Sequence, residues 1–235
     1  MDFFLGGYYL LKPKPLSFGS RNAQTVLTAS ECINDNLVGF WAYPWDKKAR
    51  KDSAQAQEVF GLDRAGVDSI RQWVAEKTAA NLIGWESVFF NKQTALEYKE
   101  KFFSHIDEVV LLAIYFNEDQ RAEVVTEFRP ESDEFGEIGV YKSLMRRMLE
   151  ADAQGEDLIG FDLIGMEVNS GFHSFHCHDM ADDLISKFDL VLNQFGLFDE
   201  PNSWNAILNY MNDEDTGCEP VPWYVTKVKA VNMNG

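Results

Sequence analysis

EVVLLAIYF, residues 108–116, is apolar at every position from Val109 to Phe116. Side chains alternate across a strand, so a run with no polar face predicts a strand covered on both sides of a sheet. A membrane-spanning helix needs about 20 apolar residues, which this run does not approach. The flanking segments should therefore supply the layers that cover it.

On the N-terminal side, Phe3 to Leu11 reads as an opening strand, stopped by Pro13 and Pro15, which cannot donate to a ladder. LVGFWAY, residues 37–43, is a second strand candidate ending at Pro44, and 46–60 reads as a helix closed by Gly61. Asp63 is placed to cap a helix whose inner face is Val67, Ile70 and Val74. WESVFF, residues 85–90, is a short strand candidate. Asn91 then caps a helix with Ala95, Tyr98 and Phe102 inward.

On the C-terminal side, residues 117–139 form an acidic stretch whose best loop is 130–136. Tyr141, Leu144, Met145 and Met148 share a helical face. LIGFDLIGMEV (158–168) and WYVTKVKAV (223–231) read as strands. Asp179 is placed to cap a helix carrying Met180, Leu184, Ile185 and Phe188, and Trp204, Ile207, Leu208 and Met211 mark another. The pattern Leu-Ile/Val-Gly starting at Leu37, Leu82, Leu158 and Leu163 has no fixed period, so each glycine marks a bulge or a close backbone approach. The expected fold is α+β: a single mixed domain over 1–235 with a central β-sheet flanked by amphipathic helices, any subdivision falling near 130–137.

A hydrophobic content of 46% with 18 Phe is enough to build an ordered interior. The opening MDFFLGGYYLLKPKP has an acidic second residue and lysines after the apolar run, the reverse of a secretion signal. Three cysteines without a CxxC pair suggest neither a disulfide framework nor a zinc ribbon, and a reducing cytoplasm is the expected location. The formal charge of −17 is unevenly placed: residues 1–117 hold 13 Lys/Arg against 14 Asp/Glu, and residues 118–235 hold 8 against 24. A field of −16 in one half repels nucleic acid and anionic membrane surfaces and attracts a basic partner.

SGFHSFHCHDMADD, residues 170–183, concentrates three of the four histidines beside Cys177. A zinc site needs three or four converging imidazole, thiolate or carboxylate ligands. In a strand His176 and His178 share a face that excludes His173, and a helix separates His178 from His173, so no regular element aims all three together. A zinc-dependent enzyme built on His173, His176, Cys177 and His178 is the alternative reading. Cys177 also has histidine neighbours that would serve as thiolate activators if they touched it. The P-loop, GxGxxG, GxSxG, HExxH and EF-hand patterns are missing from the sequence.

The charge asymmetry favours a non-enzymatic acidic interaction protein. A concrete form is an immunity-type inhibitor that neutralises a basic bacterial toxin and needs no cofactor. The expected contact residues are Asp182, Asp183, Asp213, Glu214 and Asp215 for charge, with Trp223 and Tyr224 as aromatic anchors. FWAYPWD (40–46) and the 219–225 segment, with Trp41, Trp45 and Trp223, alternatively wall a small-molecule pocket.

Overall fold

β3, Val110–Asn117, lies inside an antiparallel sheet and is buried on both faces. The structure is a computed structural model. It describes residues 2–17, 19–21, 23–39, 57–84, 87–127, 155–167, 171–177, 180–200, 204–216 and 218–233. Six strands appear among them: β1 (Phe3–Lys12), β2 (Asp35–Asn36), β3, β4 (Glu156–Glu167), β5 (Gly171–Ser174) and β6 (Trp223–Val231), in the order β2-β1-β3-β6-β4-β5. All five pairings are antiparallel. The described helices include α1 (Arg64–Ala79), α2 (Lys92–Phe103), α3 (Arg121–Glu127), α4 (Met180–Phe188) and α5 (Trp204–Met211), making a mixed α+β domain.

Alternation along β3 assigns its side chains to two cores. Leu111, Ala113 and Tyr115 join Tyr8 and Leu10 beneath Val67, Ile70, Trp73 and Val74 of α1 and Ala95, Tyr98 and Phe103 of α2. Leu112, Ile114 and Phe116 join Tyr9, Leu11, Ile164, Phe172 and Val124 on the opposite face. A third core packs Leu163, Trp223 and Val225 against Met180, Ala181 and Leu184 of α4 and Ile207 and Met211 of α5. Both caps form as the sequence suggests: Asp63 accepts from Gly66 N at 2.7 Å and Asn91 from Thr94 N at 2.8 Å.

Two strand expectations are not met over their described residues. Within WESVFF, Trp85 and Glu86 lie outside the described residues, Ser87 has φ +61, and Phe89 makes only isolated bridges to Tyr8 and Ile83. LVGFWAY does not begin a strand at Leu37, because Asn36 Oδ1 accepts from both Val38 N and Gly39 N and turns the chain there. The edge positions are instead held by the short β2 and β5. The acidic stretch starts as a 3-10 turn at 118–120 and continues into α3. The segments 40–56 and 128–154, which hold FWAYPWD, most of the expected 46–60 helix, the 130–137 boundary and the 141–148 helix, lie outside the described residues.

The glycine expectation is met twice in β4. At Gly160 the β4–β6 register shifts and φ is +145, while at Gly165 a Cβ would sit 2.7 Å from Val221 Cγ2. At Gly160 a Cβ would also lie 2.7 Å from Leu197 Cβ, beside the Phe161–Phe198 backbone pair. Gly160→Ala is expected to lower stability by about 2 kcal/mol, combining left-handed backbone strain with the clash. Urea denaturation followed by circular dichroism measures this, and a loss below about 0.5 kcal/mol would mean that the bulge relaxes freely.

Candidate functional site

His176 follows β5 and is fully buried. Its Nε2–H donates to Gly196 O at 2.7 Å, so Nδ1 is the acceptor, and Arg21 Nη1 donates to it. Burial disfavours the imidazolium and the neighbouring guanidinium repels it, and together they push the His176 pKa down to about 3. Arg21 in turn binds Asp182, with Nε 3.1 Å from Oδ1, and the same carboxylate accepts from Ser20 N at 2.9 Å and Ser20 Oγ at 2.7 Å. The hydrogen bonds from Ser20 are the main reason the Asp182 carboxyl titrates below its ordinary value. This chain of contacts fastens the 20–21 turn to the first turn of α4.

The described part of the histidine-rich stretch brings no three ligands together. Both ring nitrogens of His176 are engaged, so that residue offers no lone pair to a cation. His173 pairs with Gly165 in the β4–β5 ladder, whereas Cys177 enters the third core. His178 and Asp179 lie outside the described residues. Among the described residues no three His, Cys, Asp or Glu side chains are grouped to hold a metal ion. His176 is likewise tied to Gly196 and Arg21, which leaves it unable to activate the Cys177 thiol.

Asp182 and Asp183 diverge, although they are adjacent. Asp182, an expected partner contact, turns toward Arg21 and has its charge compensated inside the chain. Asp183 is exposed and lines a cavity of about 350 Å³ between α4, α5 and the 216–220 loop. Met180 and Leu184 form apolar wall, Tyr210 and Cys218 stand opposite, and Glu219 contributes a second carboxylate. Lys187 Nζ lies 4.3 Å from the centroid of the Tyr210 ring, so this wall already attracts a cation. Asp213 and Asp215 are exposed on the turn leading into the loop. Asp213 Oδ1 also accepts from Asp215 N at 3.0 Å, and Glu214 belongs to the same 214–216 turn.

Trp223 and Tyr224 are fully buried, which corrects their assignment as exposed anchors. As the first residues of β6 they point to opposite faces, Trp223 into the third core and Tyr224 into the second. Trp223 nevertheless shapes the cavity: its Nε1–H donates to Glu219 O at 3.1 Å, and Asn212 Oδ1 accepts from its backbone N at 2.9 Å. The indole thus fixes the loop that carries Glu219.

Several polar groups had no local signal in the sequence. Arg21 and Ser20 gain their role from Asp182, more than 150 positions away. Asp162, in the middle of β4, is fully buried, with Oδ2 accepting from Thr28 Oγ1 at 2.6 Å and Oδ1 from Leu163 N at 2.8 Å. Desolvation raises its pKa to about 7 despite those bonds. Its only sequence signal is an aspartate set between the two apolar LIG stretches of LIGFDLIGMEV.

Comparison with protein-family models, with curated proteins and with solved structures finds no match for this chain.

Proposed function

We propose that the chain is a non-enzymatic interaction protein that binds a basic protein partner through the acidic cavity between α4 and α5. In its most specific form it is an immunity-type inhibitor of a basic bacterial toxin, acting in the cytoplasm. The observation that carries this reading is the cavity itself, with the carboxylates of Asp183 and Glu219 above an apolar wall of Met180 and Leu184. That arrangement complements a lysine or arginine side chain, whose methylene stem packs on apolar surface while its head meets carboxylate. Asp213 and Asp215 nearby extend the negative field that would steer a cationic surface toward it. Among the described residues no helix is long and apolar enough to cross a membrane.

Affinity capture from the native host tests the proposal by comparing the wild type with a double variant, Asp183→Lys with Glu219→Lys. The expected result is a basic protein retained by the wild type and bound at least about tenfold more weakly by the variant, with affinity falling as salt rises. Cys218 lines the cavity and serves as a reporter, its alkylation slowing when the partner is bound. Capture of an acidic protein, or of the same partner at equal strength by both forms, would overturn the reading.

A further inference from the structure

We infer that Cys32 and Cys177 form a modification site, a thiol pair that small disulfides of the oxidised-glutathione type convert into an intramolecular disulfide. The residues are far apart in sequence but adjacent in space. Cys177 Sγ stands 4.0 Å from Ser30 Oγ, in the same turn that carries Cys32, and the Cys32 and Cys177 side chains are hydrogen-bond partners. That turn is held in place: Ile33 N and Asn34 N both bond Ser30 O, and Asn34 Nδ2 donates to Val26 O and Thr28 O at 2.9 Å each. Cys32 is exposed and Cys177 is buried. One sulfur is therefore open to a dissolved reagent while the other is shielded beside it. The contact with Cys32 and burial both push the Cys177 thiol up, which assigns the first attack to the exposed Cys32.

The exchange balances without any further reactant. Cys32 gives its proton to solvent, and its thiolate attacks one sulfur of the disulfide, forming a mixed disulfide and expelling one glutathione thiolate. That thiolate takes the proton from Cys177. The new Cys177 thiolate attacks the Cys32 sulfur, the Cys32–Cys177 bond forms, and the second glutathione leaves as a thiolate and is protonated by solvent. Two protein thiols are oxidised and one small disulfide is reduced to two thiols. Cys32 sits in an exposed turn, where small backbone shifts can meet the narrow geometry of a disulfide. The bond ties the 30–34 turn to the segment just ahead of α4, so it stabilises the fold by closing a long loop of the unfolded chain.

The test uses the full-length chain incubated with oxidised glutathione and mapped by peptide mass spectrometry without reduction. The expected product is a peptide pair linked through Cys32 and Cys177, with a thermal midpoint raised above that of the reduced protein. Cys177→Ala is expected to stop at glutathione attached to Cys32, and Cys32→Ser to give no crosslink. Cys218→Ser should crosslink as the wild type does. A wild type that accumulates glutathione on Cys32 without closing the bond, or that crosslinks through Cys218, would overturn the inference. The wild-type mapping decides this even if a cysteine variant folds poorly.

Discussion

Replacing His176 with alanine is expected to lower the unfolding free energy by about 4 kcal/mol. The substitution strips the acceptor from Arg21 Nη1 and the donor from Gly196 O, two buried groups that each lose about 1–3 kcal/mol when unpaired. It also removes a ring whose centroid lies 4.1 Å from that of Phe175. The arginine fares worst, because Nη2 is already buried without a hydrogen-bond partner among the described residues. The effect has a pH signature. The folded-state pKa of about 3 lies below the ordinary 6.5, so the neutral ring's contribution is complete above pH 6.5 and is lost as pH falls toward 3. Urea denaturation between pH 4 and pH 8 should show the alanine variant without this acid-side decline. A loss under about 1 kcal/mol would mean that the Arg21–Asp182 pair holds the turn alone.

Asp162→Asn is expected to act in the opposite direction, raising stability at pH 8 by about 3 kcal/mol. The native carboxyl titrates near 7 and the unfolded one near 3.8, so the folded protein holds its proton more tightly. Stability therefore declines as pH rises from about 4 to about 7 and stays reduced above that, at about 1.4 kcal/mol per pH unit across the window. Asparagine mimics the protonated acid: its carbonyl accepts from Leu163 N and its amide can donate to Thr28 Oγ1. Glu31, raised to about 6 chiefly by burial, adds a weaker slope of the same sign. In the wild type these slopes oppose that of His176 between about pH 4 and pH 6.5, whereas Asp162→Asn should leave a stability that rises more steeply with pH through that range. Equal stability of variant and wild type at pH 8 would show that Asp162 is ionised at no cost to the fold.

Elements that announce themselves by local pattern were legible. The apolar run of β3, the alternation in β6, the caps at Asp63 and Asn91 and the inward faces of α1, α4 and α5 all follow from residues within a few positions of one another. WESVFF and LVGFWAY carried the composition of strands, yet the backbone turns at Ser87 and at the Asn36 side chain, which composition does not register. The edge strands β2 and β5 were invisible for the opposite reason: four residues or fewer make no periodic signal, and their pairing is supplied by β1 and β4. Of the expected contact residues, Asp183 reaches the cavity while its neighbour Asp182 turns inward, since successive positions on a helix point about 100° apart and only one faces Arg21.

The amino-acid sequence by itself determined an acidic α+β chain, with a two-sided central strand and helices amphipathic enough to cover it. These properties depend on hydrophobic period and on the count of charges. Only the tertiary structure decided which polar residues matter. It brought Arg21 to His176, Thr28 to Asp162 and Cys32 to Cys177, each across more than 130 positions. It also buried Trp223 and Tyr224, the expected aromatic anchors. Desolvation and hydrogen bonding act between groups that meet in space, and sheet pairing sets those meetings at sequence separations where local pattern carries no information.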